Sequence, residues 1–592
     1  MSRSIQTNRE TQSRPSTNFE SVSLRFSDLL ILGAGALILA LPMILYGPMV
    51  QGHDTYEHLN YCRHFAEQFW AGEWYPRWLL NMCHGLGSPS LFVYPPFSSY
   101  LDAFLLPLGK ILHFNAFNAV EFLALFASGV CALLWAGTLA SRKAALASAF
   151  LYMLLPYHLS IDFYRRTALS ECWALAWMPL LLYFTTQVMA RKRMALLGIS
   201  VAYALLILSH MVSVVIFSLI PMGLALLLFA EKRIEATLRV AAGMTLGIGL
   251  SCFYFLPALL QAKHFPVLPL LQPPYFVLED NFIQLSDLIH RSAMGGFNFW
   301  LALAAVTVLA LIAICSFVLL RRGDRESRPQ ILFWMAVCVI PVFLMSSLSQ
   351  PVWNGIPPLF KAVQYPWRFN IVLCLAALFI TARFLSGASH FSSTAKILLF
   401  AFFGVIVLSW VVAYAQIWKR YRVDTHVPPA RQFVSDEDGW FDSWAPQGTD
   451  QASALKASSL PRVRFVASAG SIDVSRWQAR HIEFQTNSPS GGWVEINQFS
   501  YPGWQAMANA APGNKLEMNT VLPEGLMAVN VPPGSQTVRV DLPAVPGERA
   551  GVWISLASVL CFGFLARWMK PPSTRSDIPA EIRMDRASAV IA

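Results

Sequence analysis

The chain has 592 residues, of which 55% are hydrophobic and only 13% charged. That charged fraction is about half the soluble average, which excludes an ordinary soluble enzyme and places most of the chain in lipid. The net charge of +10 fits basic cytoplasmic loops and gives no reason to expect a nucleic-acid partner.

Residues 1–27 are polar and basic (Arg3, Arg9, Arg14, Arg25) and read as a cytoplasmic tail. Leu29–Tyr46 follows as a signal-anchor long enough to span, with no cleavable signal expected. The loop 48–94 is too long for a tight turn and too aromatic for disorder. It reads as a folded, water-facing cap over a membrane cavity, with Asp54 at the mouth. Its Cys62 and Cys83 could pair if the loop faces an oxidising compartment, and free thiols are the alternative.

Apolar segments of spanning length lie near 28–47, 95–112, 116–140, 143–160, 172–190, 194–211, 212–230, 237–258, 298–320, 331–348, 368–386, 394–417 and 550–569. The basic stretch 321–328 belongs in the cytoplasm, and counting from it puts Arg191–Arg193 and Lys232–Arg233 there too. The same count puts 261–297, 349–367 and 419–549 outside, and Lys570, Arg575, Arg583 and Arg586 inside. Both termini are then cytoplasmic. Parity requires that one of 95–112, 116–140 and 143–160 fails to span; Pro95-Pro96 opens the first and Pro156 interrupts the last. About twelve to thirteen membrane helices are expected.

After Lys419 the helical periodicity stops. Residues 424–460 read as loop, with Asp436, Glu437 and Asp438. Then Ile482 and Phe484, Val494 and Ile496, and Val538, Val540 and Leu542 alternate with polar residues between Pro/Gly turns. This period of two predicts short antiparallel strands in an extracytoplasmic β-sandwich over 419–549. The helix 550–569 tethers it, and 570–592 forms a tail.

An ionisable residue beside a membrane cavity is a functional candidate. Asp54, flanked by His53, Glu57 and His58, could act as a general base towards a hydroxyl or hold a divalent cation. On a helix, Asp54, Glu57 and His58 share a face; the structural alternative is a capping box with Asp54 as N-cap. His53, His58, His64 and His84 lack zinc-site spacing. A second cluster runs from Asp162 through Tyr164, Arg165 and Arg166 to Glu171. Two arginines on the side where positive charge is disfavoured point to an anionic ligand such as phosphate. A third, Gln364–Phe369, contains Trp367 and Arg368, which serve either as interface anchors or as a further phosphate contact. His210 and Lys263 complete the cavity candidates, with packing as the alternative for His210. Trp477, Trp493 and Trp504 are core residues by default and sugar platforms by alternative.

The GHDTYEHL run at 52–59, Tyr75-Pro76-Arg77-Trp78, Gly85-Leu86-Gly87-Ser88-Pro89, Tyr365–Phe369 and Tyr501–Trp504 together resemble the bacterial YfhO-like proteins and a membrane family labelled after pyruvoyl-tetrahydropterin synthase. More broadly, the acid in the first loop and the later polar cluster resemble the GT-C membrane glycosyltransferases. The resemblance implies a GT-C-like helical domain over 28–418 and residence in the bacterial cytoplasmic (inner) membrane. It implies transfer of a sugar from a polyprenyl-phosphate donor to a glycan, lipid or protein acceptor in the cell envelope. Asp54 would be base or metal-associated carboxylate, with Glu171, or else Asp162, as second acid. Arg165, Arg166 and Arg368 would hold the donor phosphate. The implied cofactor is a divalent cation, Mg or Mn, at Asp54; Thr55 beside it departs from the paired acids of many members, which favours the base role. A lipid-linked sugar transporter and a non-catalytic glycan-binding protein are the competing classes. No internal repeat supports the transporter.

Overall fold

A bilayer core needs about 20 apolar residues in a helix, and among the described residues eleven helices meet that condition. The structure, a computed structural model, describes residues 23–48, 52–228, 232–264, 277–289, 296–321, 327–357, 363–387, 393–424, 444–509 and 514–569. The expectations for the first 22 residues, for 322–326, for the acids at 436–438 and for 570–592 lie outside these.

The eleven are α1 (Phe26–Tyr46), α4 (Ala116–Gly137), α5 with its extension (Arg142–Arg166), α6 (Leu169–Met189), the pair α8 and α9 (Met211–Leu228), α10 with its final turn (Arg233–His264), α11 (Phe297–Arg321), α12 (Arg328–Met345), α13 with its first turn (Pro366–Gly387), α14 (which contains Phe400–Tyr421) and α16 (Glu548–Trp568). The shorter helix α7 (Ala195–Ser209) is a twelfth apolar helix, below that length. It is short but packs against protein: a Cβ on Gly243 or Gly247 of α10 would come within 2.8–2.9 Å of Ile199, Leu196 or Ser200. Small residues let membrane helices approach this closely.

The segment that does not cross is α3 (Phe97–Leu112). Its first residue packs on Trp173 near the start of α6. Its far end leads into α4, where Asn118 donates to the Met43 carbonyl at the end of α1. Both ends of α3 therefore lie on the first-loop side. It buries Ser98, Ser99 and Asp102 and exposes Phe104, Leu108, Ile111 and Leu112. Such a two-faced helix lies along an interface. At the opposite membrane face, Arg142 at the start of α5 pairs with Asp28 at the start of α1.

The first loop folds on α2 (Thr55–Trp70) and a set of turns. Arg77 donates to the Phe253 carbonyl of α10 at 2.8 Å and pairs with Glu548 of α16 at 3.1 Å. The Trp78 indole donates to Gln498 of the β-domain at 2.7 Å, and Gln498 in turn donates to the Gly85 carbonyl. Gly87 sits at φ +84°, and a Cβ there would meet Gln498 at 2.4 Å and Trp78 at 2.7 Å. The motifs of this loop therefore clamp three parts of the chain together. Cys62 and Cys83 are both buried free thiols, the second of the two alternatives. Cys62 faces Ser99 and Asp102 of α3, while Cys83 occupies a left-handed turn position.

The β-domain strands include β1 (Val463–Phe465), β2 (Ser471–Gln478), β3 (His481–Ser488), β4 (Gly492–Phe499), β5 (Gln505–Ala508), β6 (Lys515–Leu516), β7 (Met518–Val521), β8 (Leu526–Val531) and β9 (Gly534–Asp541), in two antiparallel sheets ordered β1-β4-β8-β7 and β2-β3-β9-β5-β6. Phe484 of β3 (His481–Ser488) pairs with Val538 of β9 (Gly534–Asp541), and Val494 of β4 (Gly492–Phe499) with Val529 of β8 (Leu526–Val531). All four are buried, which is the sandwich core that the alternation predicts. Two details differ from expectation. Helix α14 (Ser393–Asp424) runs beyond 418. The stretch read as loop contains helix α15 (Gln451–Ser458), whose N-cap Asp450 accepts from the Ser453 amide at 2.8 Å. Trp504 packs edge-on against Trp78, and Trp477 carries Arg462 over its ring, so both are structural.

Helix α16 is held to α10 by small residues. A Cβ on Gly551 would approach the Cys252 carbonyl oxygen to 2.3 Å, and Ser555 accepts from the Phe253 amide and donates to the Gly249 carbonyl. Gly551→Leu is expected to lower the midpoint of thermal unfolding in detergent by several degrees, corresponding to roughly 1–3 kcal/mol of overpacking. An unchanged midpoint would show that the helices can separate freely.

Candidate functional site

Pro156 lacks an amide hydrogen and pushes the preceding residue out of the helical region. Leu155 accordingly adopts φ −49°, ψ 132° and ends the first part of α5. The chain then resumes as a wide π-helical segment, Tyr157–Arg166, all of it buried. Thr167 follows in the left-handed region at φ 56°, an unusual conformation for a β-branched residue. Its amide and that of Ala168 both donate to the Asp162 carbonyl. The turn folds Glu171, at the start of α6, back onto Arg166.

Arg166 is the centre of the site. It donates to Asp162 at 2.7 Å, to Glu171 at 2.7 Å and to Asp54 at 3.1 Å. Its guanidinium lies 4.9 Å from the centre of the Trp367 ring. The Tyr157 hydroxyl donates to the other Glu171 oxygen at 2.8 Å, and Arg368 stands 3.6 Å from Glu171. Arg166, Asp162 and Glu171 are at most 4% exposed at their side chains, whereas Asp54 is 22% exposed. Asp54 is thus the carboxylate of this group that reaches towards solvent. One of its oxygens accepts from Arg166, and the other accepts no hydrogen bond from the described residues.

Asp54 stands at the N-cap position of α2 but makes no side-chain cap bond, so the capping-box alternative is not formed. Its amide donates to the Arg166 carbonyl at 2.8 Å and the His53 amide to the Arg165 carbonyl at 3.3 Å, which fastens the first loop to the membrane helices. Glu57 does not join Asp54 on Arg166. It accepts from the Tyr61 hydroxyl and from Trp444. Burial raises its carboxyl from 4.5 to about 7, with Asp54 adding to the rise and the Tyr61 bond opposing it. His58 is buried beside Asp54, and burial lowers its imidazole to about 4, so it is neutral at pH 7. The Tyr94 hydroxyl lies 3.5 Å from its Nε2. The His53 ring rests on Phe297 at 4.8 Å.

The expected phosphate ligands separate. Arg166 is already engaged by carboxylates. Arg368 donates to the Val363 carbonyl and the Gln364 amide oxygen, both at 2.9 Å. Arg165 is different: it is 7% exposed, lies 4.7 Å from the Trp300 ring, and has no carboxylate partner among the described residues. Its Nε and the neighbouring Thr167 hydroxyl are buried without protein partners. Tyr164 turns away and donates to the Leu39 carbonyl, so it does not join the Arg166 cluster. His210 bonds Ser213 at 2.8 Å and lies within electrostatic range of Glu171. Lys263 is elsewhere, at the end of α10 beside the β-domain.

The residues do not fit the implied divalent cation. The three carboxylates that would hold it converge on the Arg166 guanidinium, which supplies positive charge where a metal would sit. No group of three metal-ligating side chains occurs among the described residues. Tyr157 and Trp300 are the contacts that sequence reasoning missed. The only signal for Tyr157 is the polar run that begins immediately after Pro156.

Fold and site together define a polytopic membrane protein with a buried arginine–carboxylate centre beneath an attached β-domain. The chain belongs to the 6-pyruvoyl-tetrahydropterin synthase related family of membrane proteins, whose model matches residues 91–417. The match includes Asp162, Arg165, Arg166, Glu171 and Arg368 and begins after Asp54. A comparison with curated proteins finds no match. Among solved structures, similarity is found to arabinofuranosyltransferase AftD from Mycobacteria, at 16% identity and TM-score 0.43 over 71% of this chain and 30% of that one. An Archaeoglobus fulgidus oligosaccharyltransferase is matched at 16% identity and TM-score 0.34 over 73% and 55%. The chain thus spans less than two thirds of either.

Two outcomes follow. Arg166→Met leaves three carboxylates facing one another in a buried setting and is expected to destabilise by roughly 3–5 kcal/mol, read as a fall in thermal midpoint. Native Glu57 keeps its proton to higher pH than the unfolded chain does, so the native state binds more protons between pH 4.5 and about 7. Stability from this group is therefore lost as pH rises through that window. The midpoint of wild type relative to Glu57→Gln is expected to decline from pH 4.5 to 7; a constant difference would remove the protonated-Glu57 assignment.

Proposed function

We propose that this protein is a membrane glycosyltransferase of GT-C type. It moves a sugar from a polyprenyl-phosphate donor to an extracytoplasmic acceptor in the cell envelope. The observation that carries this reading is Asp54. It is held by Arg166 through one carboxylate oxygen, with the other facing the accessible side of a buried charge network.

A lipid phosphate is already a leaving group, so the enzyme must activate a hydroxyl and stabilise departing charge. Asp54 accepts the proton of the acceptor hydroxyl. Arg166 orients Asp54, and Asp162 and Glu171 keep Arg166 in place. The donor phosphate goes to Arg165, whose buried guanidinium has no carboxylate partner among the described residues and whose planar fork suits phosphate oxygens. The orientation follows from the basic helix ends opposite the site, at Arg142, Arg191–Arg193, Lys232–Arg233, Arg321 and Arg328, which lie in the cytoplasm. The site and the β-domain are then extracytoplasmic and, with twelve crossings, both termini cytoplasmic.

The test uses purified protein in nanodiscs with radiolabelled polyprenyl-phosphate sugars. Asp54→Asn is expected to reduce label release about 10²–10⁴-fold with an unchanged thermal midpoint, and Arg165→Gln to weaken donor use without loss of folding. Donor binding without turnover in wild type, indifferent to Asp54→Asn, would transfer the assignment to a lipid-linked sugar carrier.

A further inference from the structure

A cavity of about 550 Å³ lies between the first loop and the β-domain. Its walls include Trp78, Lys263, His264, Trp444, Tyr501 and Thr520. That volume lies within the range of small-ligand sites. It adjoins the Asp54 region through one layer of side chains. Trp444 meets the Tyr61 ring at 6.2 Å and bonds Glu57, which is one helical turn from Asp54.

The lining has a distinct chemistry. Tyr501 is fixed by stacking on Phe92 at 5.6 Å and by donating to Gln261 at 3.1 Å. The edge of the His264 ring approaches it at 6.2 Å. The hydroxyls of Thr520 and Ser500 are bonded to each other at 2.7 Å on one wall. Rigid aromatic planes with hydroxyls suit the alternating apolar and polar faces of a sugar. Among the described residues no carboxylate lines the cavity, and Lys263 is an exposed ammonium with no ion pair. A lone cation in an otherwise neutral aromatic pocket selects for an anionic ligand.

We propose that this cavity binds an acidic saccharide, with Lys263 meeting its carboxylate and the aromatic walls holding its ring. As the acceptor subsite it rests on the transferase reading; as a binding site it stands independently. The acidic sugar would occupy the β-domain side while a neighbouring hydroxyl of the same glycan extends past Trp444 towards Asp54.

The test measures binding to the full chain in nanodiscs by calorimetry, with no donor present. The probes are a trigalacturonate and its carboxyl-reduced neutral counterpart. Wild type is expected to favour the acid by about tenfold, with a preference that shrinks as salt rises. Lys263→Gln, at an exposed position, is expected to erase the preference and leave neutral binding unchanged. Thr520→Trp, which narrows the cavity from an exposed strand position, is expected to weaken both probes. Equal binding of acid and neutral sugar by wild type, absence of saccharide binding, or a preference that survives Lys263→Gln would overturn the proposal. Asp54→Asn serves as the separator, because it is expected to bind the acid as wild type does. Acid-selective binding alongside donor binding without label release by wild type would sink the transferase reading and leave the saccharide site standing.

Discussion

One buried guanidinium holds the functional end of this molecule together. Arg166 receives carboxylates from three places in the chain: the first loop at Asp54, its own π-helical segment at Asp162, and the next helix at Glu171. Charges removed from water are costly unless closely paired and hydrogen-bonded. Each of these groups therefore fixes the position of the others. The arrangement also explains the irregular backbone around it. A regular helix through Pro156 and Thr167 would carry Arg166 and Glu171 onward into separate turns, whereas the break, the wide turn and the left-handed residue return them to one point.

The first loop works through a different kind of contact. Its Arg77 and Trp78 reach α10, α16 and the β-domain by hydrogen bonds to backbone and amide groups. Gly87 is required because the Trp78–Gln498 contact occupies the space of a side chain. The motifs in this loop therefore divide by role: the residues from 75 to 89 set the position of the β-domain, and Asp54 faces the charged centre. Position and chemistry are encoded in one loop but in separate residues.

Much of the fold was legible because hydrophobic length and alternation are local signals. The eleven spanning-length helices among the described residues, the final one included, and the strands around Phe484, Val494 and Val538 all follow from them. Helix α3 was not legible, since an apolar run of 16 residues looks the same whether it crosses or lies along an interface, and only its two ends decide. The site was partly legible. Asp54, Asp162, Arg166 and Glu171 stood out as ionisable residues next to apolar spans, and they meet. What was hidden is the pairing. Asp54 looked like an N-cap because a capping bond is local, and a long-range arginine displaced it. The two adjacent arginines looked equivalent, yet the backbone turns one towards carboxylates and the other towards Trp300. Tyr157 was missed because an aromatic in an apolar run signals packing, and its hydroxyl partner lies 14 positions away.

The charged kernel has a consequence for how the protein is made. Asp54, Tyr157, Asp162, Arg166 and Glu171 all lie within the first 171 of 592 residues. Once α6 enters the bilayer, the three acids and their arginine can neutralise one another, and the ribosome still has more than two thirds of the chain to synthesise. Membrane insertion of a stretch carrying Asp162, Arg165, Arg166 and Glu171 would be opposed if each charge entered alone. The pairing of Arg166 with Asp162 and Glu171 neutralises most of that charge within the early helices, before Trp300, Trp367 and the β-domain are added. The order of residues along the chain is thus also an order of assembly, with the arginine–carboxylate cluster encoded before the β-domain that is fastened to the first loop.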